Sequence, residues 1–250
     1  AQCDSIYSAF LLLSILHLMK GNNNRTFIYL ALAYDFKQQA IFMLPLLIIL
    51  WLKGKVKARY ILWLPSVLFA TLIPALLAGR KLGELLSIYL KQVSTYTHLT
   101  MNYPSIYTVI NEGLKEDYRK LLISAGTTAT VAVMGLIAYY VRERKFVVDR
   151  EYIITLAIFT IEVCLFILPV MHERYGYFPE ILAVVYGLTG YRRMVVCVSM
   201  QIISFITYSR FLFGTPVTNL WPLTVGMFII IMLLGYDLWQ QMNSKEVKGA

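Results

Sequence analysis

Between two long apolar runs stands Leu168-Pro169-Val170-Met171-His172-Glu173-Arg174-Tyr175, in which an imidazole, an acid and a guanidinium follow one another directly. Arginine offers a rigid fork of donors matched to phosphate. His172 can donate to the same oxygens or hold a carboxylate, and Glu173 can orient either cation. Tyr175, three residues beyond His172, shares its face if the segment is helical. Together these residues suit the grip of an anion. The plainer reading is a set of charged side chains snorkelling at a helix end. Pro169 before and Pro179 after favour a break in the chain over a simple exit.

A second cluster, Asp35-Phe36-Lys37-Gln38-Gln39, puts a cation and two amides where one apolar run (27–34) gives way to another (40–52). A helix starting near Lys37 would add its positive end to the same place. Its plainer reading is a polar hinge between half-helices. Gln2-Cys3-Asp4 opens the first run, either lining a polar cavity or capping a helix. Glu162 lies in the middle of an apolar run, where a charge is costly and functional by default. The alternative is a protonated Glu162 bonded to a Thr or Tyr of a neighbouring helix. His17 and Asp237 lie near run ends and read as interfacial. Cys3, Cys164 and Cys197 are scattered and imply neither a disulfide framework nor a metal site. No metal and no cofactor is expected.

The elements that must position these residues are membrane helices. Of 250 residues 58% are hydrophobic, and mean hydropathy is +0.63. The apolar residues come in blocks of about 20, the length that crosses a bilayer. The expected fold is all-α, a polytopic transmembrane bundle forming a single domain over residues 1–250. Apolar segments run over 5–19, 27–34, 40–52, 60–78, 121–141, 152–170, 177–191, 194–213 and 217–239. That makes about nine membrane-entering segments, with Pro65 and Pro74 as kinks in the fourth. The longest stretch between spans, 79–120, holds Leu82, Leu85, Leu86, Tyr89, Leu90 and Val93 at helical spacing. This predicts an amphipathic helix lying in the interface, followed by an aromatic-rich loop over 96–107.

Net charge is +9, but where the charges sit matters more than their sum. Alternate short turns hold Lys20 and Arg25; Lys53, Lys55, Lys57 and Arg59; Arg142, Arg144, Lys145 and Arg150; Arg192 and Arg193; Lys245 and Lys248. These are most of the 23 basic residues, so this face is cytoplasmic by the positive-inside rule. The runs are short and pressed against spans, which argues against nucleic-acid binding. Asp4, the Asp35–Gln39 break, the long loop and His172–Arg174 then share the outer face.

Four motifs occur in order: Gln2-Cys3-Asp4-Ser5-Ile6-Tyr7, Phe36-Lys37-Gln38-Gln39-Ala40, Asn102-Tyr103-Pro104-Ser105-Ile106-Tyr107 and Met171-His172-Glu173-Arg174-Tyr175. Together they resemble the GT-C superfamily of integral-membrane glycosyltransferases, in its bacterial set related to the mannosyltransferases of GPI-anchor assembly. Phe36-Lys37-Gln38 and His172-Glu173-Arg174 are also similar to motifs of the lipid-linked glucosyltransferases of N-glycan assembly. The resemblance implies transfer of a hexose, mannose-like, from a polyprenyl-phosphate sugar to a glycan or glycolipid acceptor on the outer face of a bacterial plasma membrane. It implies that Lys37, His172 and Arg174 bind the donor phosphate. Gln2, Asp4, Gln38, Glu173, Tyr175, Asn102 and Tyr107 would line the site. The family's acidic catalytic base is expected upstream of Gln2-Cys3-Asp4, so the chain reads as a fragment lacking its amino-terminal part. The rival reading is a membrane transporter or lipid flippase, which half-helices meeting at a polar break and Glu162 would also suit. A non-catalytic scaffold is a third.

Overall fold

The structure, a computed structural model, describes residues 3–93, 98–110, 116–215 and 217–246. Gln2, Tyr96, Thr97 and Lys248 of the sequence reading lie outside the described residues. The chain is all-α with one pair of two-residue strands. In order the elements are α1 (Asp4–Met19), α2 (Asn23–Phe36), α3 (Leu44–Leu52), α4 (Trp63–Leu77), α5 (Leu82–Val93), β1 (Thr100–Met101), α6 (Glu116–Glu143), α7 (Arg150–Ile167), β2 (Met171–His172), α8 (Tyr177–Gly187), α9 (Tyr191–Phe213) and α10 (Leu220–Ser244). They form two compact units. The first holds Ala1–Ile41 and Gly54–Thr97, the second Phe42–Lys53 and His98–Ala250.

In the first unit α1 and α2 pack as a helical hairpin. Asp4 sits in the first turn of α1, where its charge complements the free backbone amides. Gly21 turns the chain at φ +72°, and the Asn22 side chain caps α2 by accepting the Arg25 amide. That cap starts α2 inside the stretch the sequence had given to a polar turn. Ser14 donates to the Thr26 carbonyl at 2.7 Å and joins the two helices where no water reaches. α4 also packs on α2, and Trp63 Nε1 donates to Asn24 Oδ1 at 3.0 Å. The helix expected over the leucine-rich repeat is present as α5.

In the second unit α7 is the hub, in contact with α3, α6, α8 and α10. Only Arg150, Glu151, Phe159 and Ile167 of its 18 residues escape full burial. A helix apolar on every side belongs inside protein or lipid, and here protein surrounds it. At one end of this unit Arg193 ties the helices together. Its Nε and Nη2 reach Asp237 at 3.0 and 3.3 Å, and its Nη1 reaches Glu151 at 3.1 Å. Tyr186 and Gln241 also donate to Asp237. Asp237, read from sequence as interfacial, is the acceptor at the centre of this network.

Four stretches among the described residues are long and apolar enough to cross a membrane: Ala58–Leu77, Tyr118–Glu143, Tyr191–Phe213 and Leu220–Ser244. They mark the chain as a membrane protein. Leu136, Val131, Phe205, Phe211 and Met232 on these helices are more than half exposed. In water each such side chain would forgo about 1.5–3 kcal/mol of burial, whereas lipid removes that cost. The nine segments expected from hydropathy are not found. α1 has 16 residues and α8 has 11, about 24 and 16 Å of helix against about 30 Å of hydrocarbon. α7 has the length, but it carries Arg150, Glu151 and Glu162.

Candidate functional site

The break after α7 is built by the backbone. The Leu168 amide closes the helix on the Cys164 carbonyl at 2.8 Å, and Pro169 stops it. Val170 then takes φ +65°, rare for a β-branched residue. Its amide donates to the Leu99 carbonyl at 2.8 Å. This turn directs Met171 and His172 alongside Thr100 and Met101 as a parallel pair, with Thr100 opposite Met171 and Met101 opposite His172. Asn102, at φ +65°, adds a bridge to His172. The cluster read as one helical face is therefore a strand followed by a 3-10 turn, Glu173–Gly176.

Two tyrosines hold the 98–110 segment against α7. The Tyr107 hydroxyl donates to the Ile167 carbonyl at 2.9 Å, supplying a donor to one of the helix's last carbonyls. The Tyr103 hydroxyl donates to Glu162 Oε2 at 2.5 Å. Both rings are buried. The donor to Glu162 is thus a tyrosine, but from a loop and not from a neighbouring helix. Tyr107 fits only because Gly126 of α6 has no side chain. A Cβ there would collide with the Tyr107 hydroxyl and stand 3.1 Å from Pro169 Cδ.

Within this frame His172 Nδ1 lies 3.7 Å from Glu173 Oε2. Its ring meets Tyr175 edge to face, centroids 5.4 Å apart. Side-chain exposure of His172 and Glu173 is 13% and 12%, low enough that charges on this turn are poorly screened. Arg174 is half-buried on the same turn. Asn102 Oδ1 accepts from Arg210 Nη1 of α9 at 3.1 Å. Thus His172, Glu173, Tyr175 and Asn102 are brought together. Tyr107 stands one step away, at the carbonyl where the break begins.

The other motif pair meets in the first unit. Lys37 Nζ forms an ion pair with Asp4 Oδ1, with side-chain exposures of 13% and 14%. It also lies 5.0 Å from the Tyr7 ring centroid, a cation–π contact. The Cys3 thiol donates to the Phe36 carbonyl at 3.5 Å. Lys37 itself is extended, at φ −157° and ψ 124°. The chain after it opens as a 3-10 turn, Gln38–Met43, and becomes α-helical only at Leu44. The helix start expected beside Lys37 is therefore present at Gln38, with 3-10 geometry up to Met43 and α-helical geometry from Leu44, where Pro45 sits in the first turn.

Sequence reasoning missed Arg210. It stands alone near the end of an apolar run, and such a residue reads as a snorkelling end charge until its partner is known. No family model, no curated protein and no solved structure matches the chain.

Proposed function

We propose that the chain is a polyprenyl-phosphate-dependent hexosyltransferase of GT-C type, multi-pass in a bacterial plasma membrane, with its site facing outward. The observation that carries this reading is the pairing of motifs distant in sequence. The segment 102–107 is laced to the segment 171–175 through β1, β2 and the Tyr107–Ile167 bond. Cys3 and Asp4 meet Phe36 and Lys37 in the same way. The second meeting follows from the α1–α2 hairpin alone, so the first, which joins segments distant in sequence through a strand pair, carries the reading.

In this reaction the bond from the sugar's anomeric carbon to the phosphate oxygen breaks. The electron pair leaves with the polyprenyl phosphate while the acceptor hydroxyl bonds to carbon and passes its proton to a base, the carboxylate that the resemblance implies. Charge grows on the departing phosphate, so fixed cations facing it lower the barrier. In our proposal Lys37 and Arg174 are those cations, and His172 gives an N–H to the same oxygens. Glu173 and Tyr175 hold the imidazole in place. The proposal rests on transfer from a polyprenyl-phosphate mannose or glucose, assayed in membranes. Arg174→Ala is expected to lower turnover about 100-fold or more, and Lys37→Ala to lower it as well. Unchanged transfer in both variants would sink the reading. The buried Glu162 favours the transporter reading instead. Loss of substrate movement in Glu162→Gln, with Arg174→Ala silent, would decide for it.

A further inference from the structure

A cleft of about 360 Å³ opens in the second unit, between the end of α9, the start of α10 and the 102–108 segment. Its polar walls include Asn102, Thr108, Thr207, Arg210, Asn219 and Trp221. Among the described residues Arg210 is the one charged side chain lining it, and that guanidinium already gives one N–H to Asn102. Thr207 and Thr108 can spend their hydroxyl protons on the carbonyls of Ser204 and Ser105. Thr108 Oγ1 also lies 2.7 Å from Thr224 Oγ1, which can donate to it, so Thr108 keeps one lone pair and Thr207 two as acceptors. Asn219 precedes α10 without capping it, so its amide offers both donors and an acceptor. Trp221 is 56% exposed and supplies an N–H and a ring.

A phosphate would want several cations or a full ring of donors. This cleft mixes donors and acceptors around an aromatic side chain, with a single, partly engaged cation. Sugar hydroxyls each donate and accept, and sugar rings carry apolar C–H faces. The volume falls in the range of small-molecule sites. Moreover, Asn102 joins the cleft to the break after α7, since its backbone pairs with His172 while its side chain meets Arg210.

We propose that this cleft is a carbohydrate subsite for an uncharged, hydroxyl-rich sugar unit, and that it holds the acceptor of the transfer. The acceptor role rests on the transferase reading; the sugar binding does not. The test is calorimetric titration of the full chain in detergent micelles with methyl α-mannoside, methyl α-glucoside and the corresponding disaccharides. Sodium phosphate is titrated in parallel. Saturable binding of at least one glycoside is expected. Asn219→Ala and Trp221→Ala should weaken it about tenfold, the scale of one lost hydrogen bond or stacking contact. Trp221→Phe should keep binding within about threefold, since the ring remains. Arg174→Ala should leave it unchanged. Absence of glycoside binding, indifference to both alanine variants, or phosphate binding in its place overturns the proposal. Glycoside binding by the chain, with no transfer from a polyprenyl-phosphate sugar by the full-length protein, would refute the transferase reading and leave the subsite standing.

Discussion

Gly126 and Tyr107 form a pair whose coupling can be worked out beforehand. An alanine at 126 drives its Cβ into the Tyr107 hydroxyl, with Pro169 Cδ and Tyr107 Cζ each 3.1 Å away. The ring cannot swing clear cheaply. It is 3% exposed, and its hydroxyl is bonded to Ile167. Overpacking of this kind costs about 1–3 kcal/mol, and surrender of the hydroxyl's bond costs about 1 more. Alanine's better helix propensity returns about 1 kcal/mol. Gly126→Ala should therefore lose about 1–3 kcal/mol. Tyr107→Phe loses the bond alone, about 1 kcal/mol. In the double variant the clashing oxygen is gone while the helix gain is kept. It should be no less stable than Tyr107→Phe, so the cycle should show a favourable coupling of at least about 1–3 kcal/mol. The readout is thermal unfolding in detergent with a thiol-reactive dye, for which the buried Cys164 and Cys197 are native reporters. At about 2–4 °C per kcal/mol, Gly126→Ala should unfold several degrees early. Wild-type stability in Gly126→Ala, or additive losses in the double variant, would refute the reasoning.

Asp237→Ala should cost about 1–3 kcal/mol, because it leaves Arg193, whose side chain is only 16% exposed, with the more exposed Glu151 as its remaining carboxylate. Asp237→Asn should cost less, and dye-monitored melting separates the two. The carboxyl of Asp149 answers to pH. Burial pushes its pKa up, but the Lys245 ammonium and the Tyr152 amide outweigh that and hold it below the ordinary 3.8. A carboxyl depressed on folding stabilises the protein above its unfolded pKa and loses that contribution as pH falls through the folded value. Melting temperature should therefore fall between about pH 5 and pH 3, and Lys245→Met should flatten that fall. A wild-type and variant profile of equal slope would show that the pair contributes nothing.

How far the sequence speaks depends on the distance over which each cause acts. The break after α7 was legible because Pro169 and the charged run are local signals. The helix over Leu82–Val93 and the carboxyl end of α9 followed from periodicity and apolarity alone, whereas α9 begins at Tyr191, which hydropathy assigns to the preceding run. What hydropathy could not separate is lipid from protein interior. An apolar run reads the same in α7, wrapped by neighbours, as in a helix that faces acyl chains. The count of spans was too high for that reason, and because runs such as α1 and α8 fall short of a bilayer's thickness. The Tyr103–Glu162 and Arg210–Asn102 bonds join residues 59 and 108 positions apart. A single sequence holds no trace of such pairs beyond their polarity. The convergence of Cys3 and Asp4 on Phe36 and Lys37 was foreseen only as a shared side of the membrane.

The contrast between α7 and α4 has a consequence for how this chain can drift. α7 is walled in on nearly every side, whereas α4 has no buried residues. Substitutions in α7 should be vetoed by volume, a methylene at a time. Away from its contact with α2, α4 need satisfy only length and oiliness, so Leu, Ile, Phe and Val should trade places there with little penalty. A saturation library selected for surface-folded protein should show a narrow choice of residues along the first helix and near-interchangeable aliphatics along the second.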